Sequence, residues 1–117
     1  MIYAKDFGNY LLLEFKLNEL DIKTTPKIWD KINKLLAGVD HSDIILDLHN
    51  IYYIDSMGLN ILISLSKKLI TKKSELLVLC NSIKILQLFD IVRLDAYIKI
   101  FPSIDDAKAY LLSKINF

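Results

Sequence analysis

One cysteine, three glycines, two prolines and almost no charge imbalance: the 117-residue chain lacks most of the compositional marks by which a function is usually read. Cys80 has no second cysteine to pair with, so no disulfide forms within the chain. It ends the apolar run Leu76-Leu77-Val78-Leu79-Cys80 and reads as a small buried hydrophobe. Glycine and proline are too sparse for a low-complexity linker, and no internal repeat is found. No uncharged apolar stretch reaches the roughly 18 residues of a membrane-spanning helix, so membrane insertion is not expected. Met1 to Asp6 lacks the basic start and apolar stretch of a secretory leader, which makes a reducing, cytoplasmic setting the expectation. Fifteen Lys and Arg stand against fourteen Asp and Glu, for a formal net charge of +1 without a long block of one sign. Bulk electrostatics therefore select neither nucleic acid nor an anionic membrane.

What is present is apolar matter in regular order. Hydrophobic residues make up 53% of the chain and charged ones 25%, the make-up of one globular domain over residues 1–117. A chain of this length buries roughly two thirds of its unfolded surface, enough for one core and too little for a large enzyme fold. Ile2 to Asp6 and Tyr10 to Leu17 are apolar-rich runs joined by Gly8-Asn9, which predicts an antiparallel hairpin. Asn18 to Thr25 is polar and turn-like. Thr24-Thr25-Pro26 offers a hydroxyl cap and a preset backbone angle for a helix with Ile28, Trp29, Ile32, Leu35 and Leu36 at helical spacing. Gly38 is placed to end that helix in a left-handed conformation.

Ile44 to Leu48 reads as a strand, and Asn50 to Asp55 as a central strand ending in an acid. From Ser56 or Met57 to about Lys72 the period becomes helical, with Leu59, Leu62, Ile63, Ser66, Leu69 and Ile70 on one side. The lysine pairs Lys67-Lys68 and Lys72-Lys73 suit a solvated helix end. Glu75 to Cys80 is the next buried strand. Asn81-Ser82 caps a short helix with Ile83, Leu86 and Phe89 inward, and Tyr97 to Phe101 is a further strand. Ser103, Asp105 and Asp106 open a terminal helix with a hydroxyl cap and first-turn carboxylates. This alternation predicts an α/β fold: a mixed, mostly parallel sheet with an N-terminal hairpin edge and about four helices.

The chemically informative segment runs from Asp47 to Leu59, between a strand and a helix. A serine at a helix start meets backbone N–H groups without internal partners and the positive pole of the dipole, a place suited to a phosphate ester on Ser56. Gly58, lacking a Cβ, is expected to leave the helix start open to a phosphate or a partner chain. Asp55 either caps the helix itself or orients the Ser56 hydroxyl or a partner's cation.

Asp47-Leu48 followed by Ile54-Asp55-Ser56-Met57-Gly58-Leu59 resembles the D-S-x-G-L signature of STAS domains, the family of anti-sigma factor antagonists. Asn18-Glu19-Leu20-Asp21 with Thr24 is similar to the family's G-E-L-D and following threonine, and Leu88-Phe89-Asp90 through Leu94 to its late leucine-rich turn. Asn18 and Arg93 stand where the family favours glycine, and Met57 where it favours a small residue. The resemblance implies a non-enzymatic protein-binding switch without a cofactor. Its unphosphorylated form binds an anti-sigma factor that is also a serine kinase, and a sigma factor is freed. Phosphorylation of Ser56 ends that binding, and a PP2C-type phosphatase resets the system. Asp21, Thr24, Asp55, Ser56, Met57, Gly58 and Leu59 are the partner-binding residues so implied. The same family includes non-enzymatic subunits regulating transporter ATPases, for example in lipid transport, which is the competing reading.

Other chemistries fit less well. A hydrolase built on Ser56, His49 and Asp55 lacks a G-x-S-x-G elbow. His41 and His49 read as surface loop residues without partners at metal-ligand spacing, so no metal is expected. A phospho-accepting receiver domain using Asp55 requires an acidic pair after the first strand, where this chain has Lys5-Asp6-Phe7-Gly8. Trp29, Tyr52 and Tyr53 read as core or strand residues, not ligand platforms.

Overall fold

The structure, a computed structural model, describes residues 2–38 and 43–115; His41 lies outside them. The described strands are β1 (Ile2–Asp6), β2 (Tyr10–Phe15), β3 (Glu19–Leu20), β4 (Asp43–Asp47), β5 (Tyr53–Ile54), β6 (Leu76–Leu79) and β7 (Lys99–Phe101). The described helices are α1 (Thr25–Ala37), α2 (Ser56–Thr71), α3 (Ile83–Ile91) and α4 (Ile104–Ile115), with a 3-10 turn at Leu94–Ala96.

β1 and β2 form the expected antiparallel hairpin. Its turn needs glycine: Gly8 sits at φ +89°, and its N–H donates to Asp6 Oδ1 at 2.9 Å. β2, β4, β6 and β7 then pair in parallel, giving the order β1-β2-β4-β6-β7. Because side chains alternate across a strand, each inner strand feeds two cores. Leu11, Leu13, Ile44, Leu46, Leu76 and Val78 pack with α1, α2 and α3, while Tyr10, Ile45, Leu77 and Leu79 pack with Ala107 and Leu111 of α4. A strand buried on both faces reads as an unbroken apolar run, which is why β6 is Leu-Leu-Val-Leu. The mixed α/β architecture with its hairpin edge is as the sequence predicts.

Several details differ. Asn50 to Asp55 is not a central strand: only Tyr53–Ile54 is extended, and it pairs with β3, which lies within the segment expected to be a polar turn. Gly38 ends α1 at φ −96°, ψ 2°, outside the left-handed region, because its N–H turns back to the Leu36 carbonyl. Thr24 gives α1 no side-chain cap; its hydroxyl faces the preceding turn instead. The buried stripe of α2 is Ile61, Leu62, Leu65, Ser66 and Leu69, leaving Ile70 exposed. On α3 the inward pair is Ile85 and Phe89, with Ile83 74% exposed. Ser82 caps α3 and Ser103 caps α4 through their hydroxyls, as expected.

Candidate functional site

The site is assembled by the small second sheet. Parallel pairing of β3 with β5 sets Leu20 opposite Ile54, and flanking bonds extend the match: Tyr52 N–H to the Asn18 carbonyl at 2.9 Å, Asp55 N–H to the Leu20 carbonyl at 3.2 Å. The turn after β3 is thereby held against the start of α2.

Asp55 is the joint between them. Its Oδ1 accepts the N–H groups of Met57 at 2.9 Å and Gly58 at 3.0 Å, capping α2, and its Oδ2 accepts the N–H of Ile22 at 2.9 Å. The capping reading of Asp55 therefore describes it, with an added tie to the neighbouring turn. Ser56 is the first helical residue and its side chain is exposed.

This alters the expected fate of a phosphate. A helix start leaves four amides without intrahelical partners. Here Asp55 N–H serves Leu20, and those of Met57 and Gly58 serve the Asp55 carboxylate, so three of the four are taken. The expectation that several helix amides neutralise a phosphate on Ser56 is narrowed accordingly: Asp55 takes two of them and the Leu20 carbonyl a third, leaving the N–H of Ser56 itself.

The turn after β3 has its own internal scaffold. Asp21 is only 6% exposed; its Oδ1 accepts the N–H of Lys23 at 2.9 Å and of Thr24 at 3.1 Å. Thr24 Oγ1 accepts the Asp21 N–H at 3.0 Å and lies 3.2 Å from the Glu19 carbonyl, to which it donates. Burial opposes ionisation of Asp21, but these hydrogen bonds, the Thr24 amide foremost, prevail and hold its carboxyl below the ordinary value. Asp21 and Thr24 thus shape the turn from behind. The side chain presented to solvent is Ile22, 64% exposed, a lone apolar residue in a polar turn and a site residue that the sequence motifs do not single out.

Gly58 does the opposite of leaving the helix start open. A Cβ there falls 2.2 Å from the Leu20 carbonyl oxygen and 2.8 Å from Ile54 Cγ2, so glycine lets α2 seat directly against β3 and β5. Leu59 is half-buried and packs on the main core. Met57 is 42% exposed beside Ser56, and Tyr52 and Tyr53 are exposed as well. The Tyr52 hydroxyl donates to Glu19 Oε1 at 3.1 Å, and that bond to a carboxylate raises the phenol's pKa.

Among the described residues no hydrolytic constellation gathers around Ser56. The His49 ring lies between the Asp47 carboxylate, 2.7 Å from Nδ1, and the Pro102 carbonyl, 3.1 Å from Nε2, while both Asp55 oxygens are engaged by amides. Among the described residues no group of three or more His, Cys, Asp or Glu could hold a metal ion, and no helix is long and apolar enough to cross a membrane.

Known proteins share this architecture. No curated protein matches the sequence. An anti-sigma factor antagonist from Mycobacterium paratuberculosis superposes with a TM-score of 0.81 at 20% identity, over 95% of this chain and 92% of that one. The phosphorylated form of the Bacillus cell fate determinant SpoIIAA gives 0.69 at 15% identity, over 95% and 99%. The murine Slc26a9 anion transporter gives 0.75 at 18% identity over 93% of this chain, which corresponds to only 18% of the transporter. At such identities the likeness is one of fold. The sequence itself matches the STAS domain over residues 8–107, and the chain belongs to the STAS domain family.

Proposed function

We propose that this domain is an anti-sigma factor antagonist: a non-enzymatic switch whose unphosphorylated form binds an anti-sigma factor with serine kinase activity, freeing a sigma factor. Ser56 is the phosphorylated residue, and a PP2C-type phosphatase reverses the modification. The observation that carries this reading is the setting of Ser56, exposed on the first turn of a helix whose cap, Asp55, also holds the backbone of the exposed Ile22, with the exposed Met57 next in the chain. Exposed apolar side chains give a partner something to desolvate, and an exposed serine gives a kinase access. Asp21 and Thr24 act by holding Ile22 in place; Asp55, Gly58 and Leu59 act by fixing the register of α2.

Phosphorylation adds about −1.5 to −2 charges at pH 7. With three first-turn amides already bound, that charge stays on the surface beside a carboxylate. Repulsion and desolvation within a docked interface then remove on the order of 3 kcal/mol, about a hundredfold in affinity. Incubation with ATP and the cognate serine kinase is the test: intact mass gains one phosphate, and Ser56→Ala gains none. No phosphate on the natural protein, or undiminished phosphate on the variant, overturns the assignment.

The second reading, a subunit regulating a transporter ATPase, draws support from the fold shared with a transporter's domain. In that case the purified domain forms a stable complex with the ATPase subunit, and Ser56→Ala leaves that complex unchanged.

A further inference from the structure

β1 stands at the end of the sheet order β1-β2-β4-β6-β7, so one side of it has no neighbouring strand. Which backbone groups face that side follows from the hairpin. Phe7 N–H donates to the Tyr10 carbonyl at 2.9 Å, one step beyond the pairing of Asp6 with Leu11. In an antiparallel pair, hydrogen-bonded and non-hydrogen-bonded positions alternate along each strand. Phe7, Lys5 and Tyr3 therefore direct their amides and carbonyls to β2, and Asp6, Ala4 and Ile2 direct theirs outward. Among the described residues no backbone group takes these up.

Such an edge is a template for another strand, and folded proteins ordinarily blunt it with a proline, a bulge or a covering element. β1 has none of these: its register with β2 runs unbroken from Ile2 to Asp6, and Tyr3, Ala4, Lys5 and Asp6 are all exposed. The opposite edge strand, β7, is only three residues long. Lys5 is the charge best placed to blunt the β1 edge, but its ammonium already lies 3.9 Å from the Glu14 carboxylate.

We propose that β1 pairs antiparallel with β1 of a second copy of this chain, about a two-fold axis at Ala4. In this register Ala4 meets Ala4 and Ile2 meets Asp6, so each outward amide finds an outward carbonyl. A slip of one residue sets outward groups against inward ones, and a slip of two leaves fewer of them paired. On the other face of the strand, Tyr3 meets Lys5 of the second copy, and symmetry repeats the pair. Side chains so opposed stand about 5 Å apart at Cβ, close enough to set each ammonium against a ring face. The segment is thus complementary to itself, with a small residue at the axis and a cation beside an aromatic on either side, and this selects a second copy over an unrelated strand. The inference does not depend on phosphorylation of Ser56.

Sedimentation velocity on the natural chain is the test, with a dimer expected to grow in between about 10 µM and about 1 mM, as suits one strand pair. Amide exchange reads the geometry. Tyr3 and Lys5, bonded to β2, are protected at every concentration, whereas the Ala4 amide exchanges fast in dilute solution and slows about fivefold or more when concentrated. Ala4→Pro removes an outward N–H at a place where an edge strand accepts proline; it is expected to be monomeric, with a Tm close to that of the dilute natural chain. Tyr3→Lys sets two lysines against each other and weakens association about tenfold or more, and adding Lys5→Tyr restores the cation–aromatic pair and the dimer. The proposal is overturned by a monomer at about 1 mM, by a dimer whose Ala4 amide stays fast, by a dimer that survives Ala4→Pro, or by no recovery in the double variant.

Discussion

Gly58→Ala pits two opposing effects against each other and predicts which wins. In a helix, alanine is favoured over glycine by up to about 1 kcal/mol. Yet the added methyl falls 2.2 Å from the Leu20 carbonyl oxygen, and this is backbone that no rotamer change can withdraw. Leu20 is also paired with Ile54, and its carbonyl accepts from Asp55 N–H, so displacing it loosens β3, the cap of α2 and the Ile22 turn together. Overpacking of a tight contact costs about 1–3 kcal/mol, and a clash with backbone belongs at the upper end. The net expectation is a loss of about 2 kcal/mol, which lowers Tm by about 8 °C for a chain of this size. Urea unfolding gives the same quantity as a lowered midpoint at unchanged slope. Gly38→Ala is the control, since a methyl added there meets nothing within 4 Å and the backbone φ is negative; it is expected to be neutral or mildly stabilising. If Gly58→Ala matches or exceeds the natural protein in stability, the close seating of α2 on β3 is wrong.

Asp55→Ala removes the acceptor of three amides and is expected to cost about 1–2 kcal/mol, with faster hydrogen exchange at Ile22, Met57 and Gly58, whereas Asp55→Asn retains a capping oxygen and costs less. The Asp21 carboxyl titrates below its ordinary 3.8 in the fold, so the folded state binds fewer protons; its contribution is complete above that pH and is lost as pH falls through the folded value, and Asp21→Asn flattens the acid limb of a stability profile. Arg93 holds φ +57°, a left-handed conformation that strains a side-chain-bearing residue, so Arg93→Gly is expected to raise stability by about 0.5–1 kcal/mol in urea unfolding despite the loss of an exposed 3.8 Å ion pair with Asp95. Phosphorylation of Ser56 is expected to shift Tm by less than about 2 °C while weakening partner binding about a hundredfold, read by calorimetry on the two forms; a large change in stability of the free domain contradicts a purely surface charge.

The parts of the fold legible in the sequence are those where one periodic signal dominates. The Gly8-Asn9 hairpin, the four-residue apolar run of β6 and the hydroxyl caps of α3 and α4 each follow from local chemistry. Helix faces are harder to read. α2 and α3 carry apolar residues nearly all round, so periodicity does not fix which side turns inward, and Ile70 and Ile83 emerge on the solvent side. β3 is hidden for another reason: two residues make no pattern, and their extended state is imposed by a partner strand 34 positions away, the separation of Glu19 from Tyr53. Gly58 stands out in the sequence, but its purpose lies in the Leu20 carbonyl, which no local reading places next to it. Arg93 departs from the family's glycine, and its positive φ supplies the physical reason glycine is favoured there.

The adjacency of Asp55 and the serine proposed to be phosphorylated, awkward from the sequence, becomes intelligible once hydrogen bonds are assigned. Were the serine itself the cap, its hydroxyl would face the helix amides; a phosphate there would be partly neutralised by them, and its addition would rearrange the cap. With Asp55 as the cap, three of the four amides at the helix start are paired before any modification, and the serine one residue later is exposed. The modification then leaves the scaffold intact and changes only what an approaching surface meets. A second consequence follows from Oδ2: because the same carboxylate holds the Ile22 N–H, the capping of α2 and the placing of the Ile22 turn are one structural event. Under the proposed switch, loss of Asp55 is therefore expected to weaken recognition of the unmodified form along with the helix, while a charge added at Ser56 is expected to act on recognition alone.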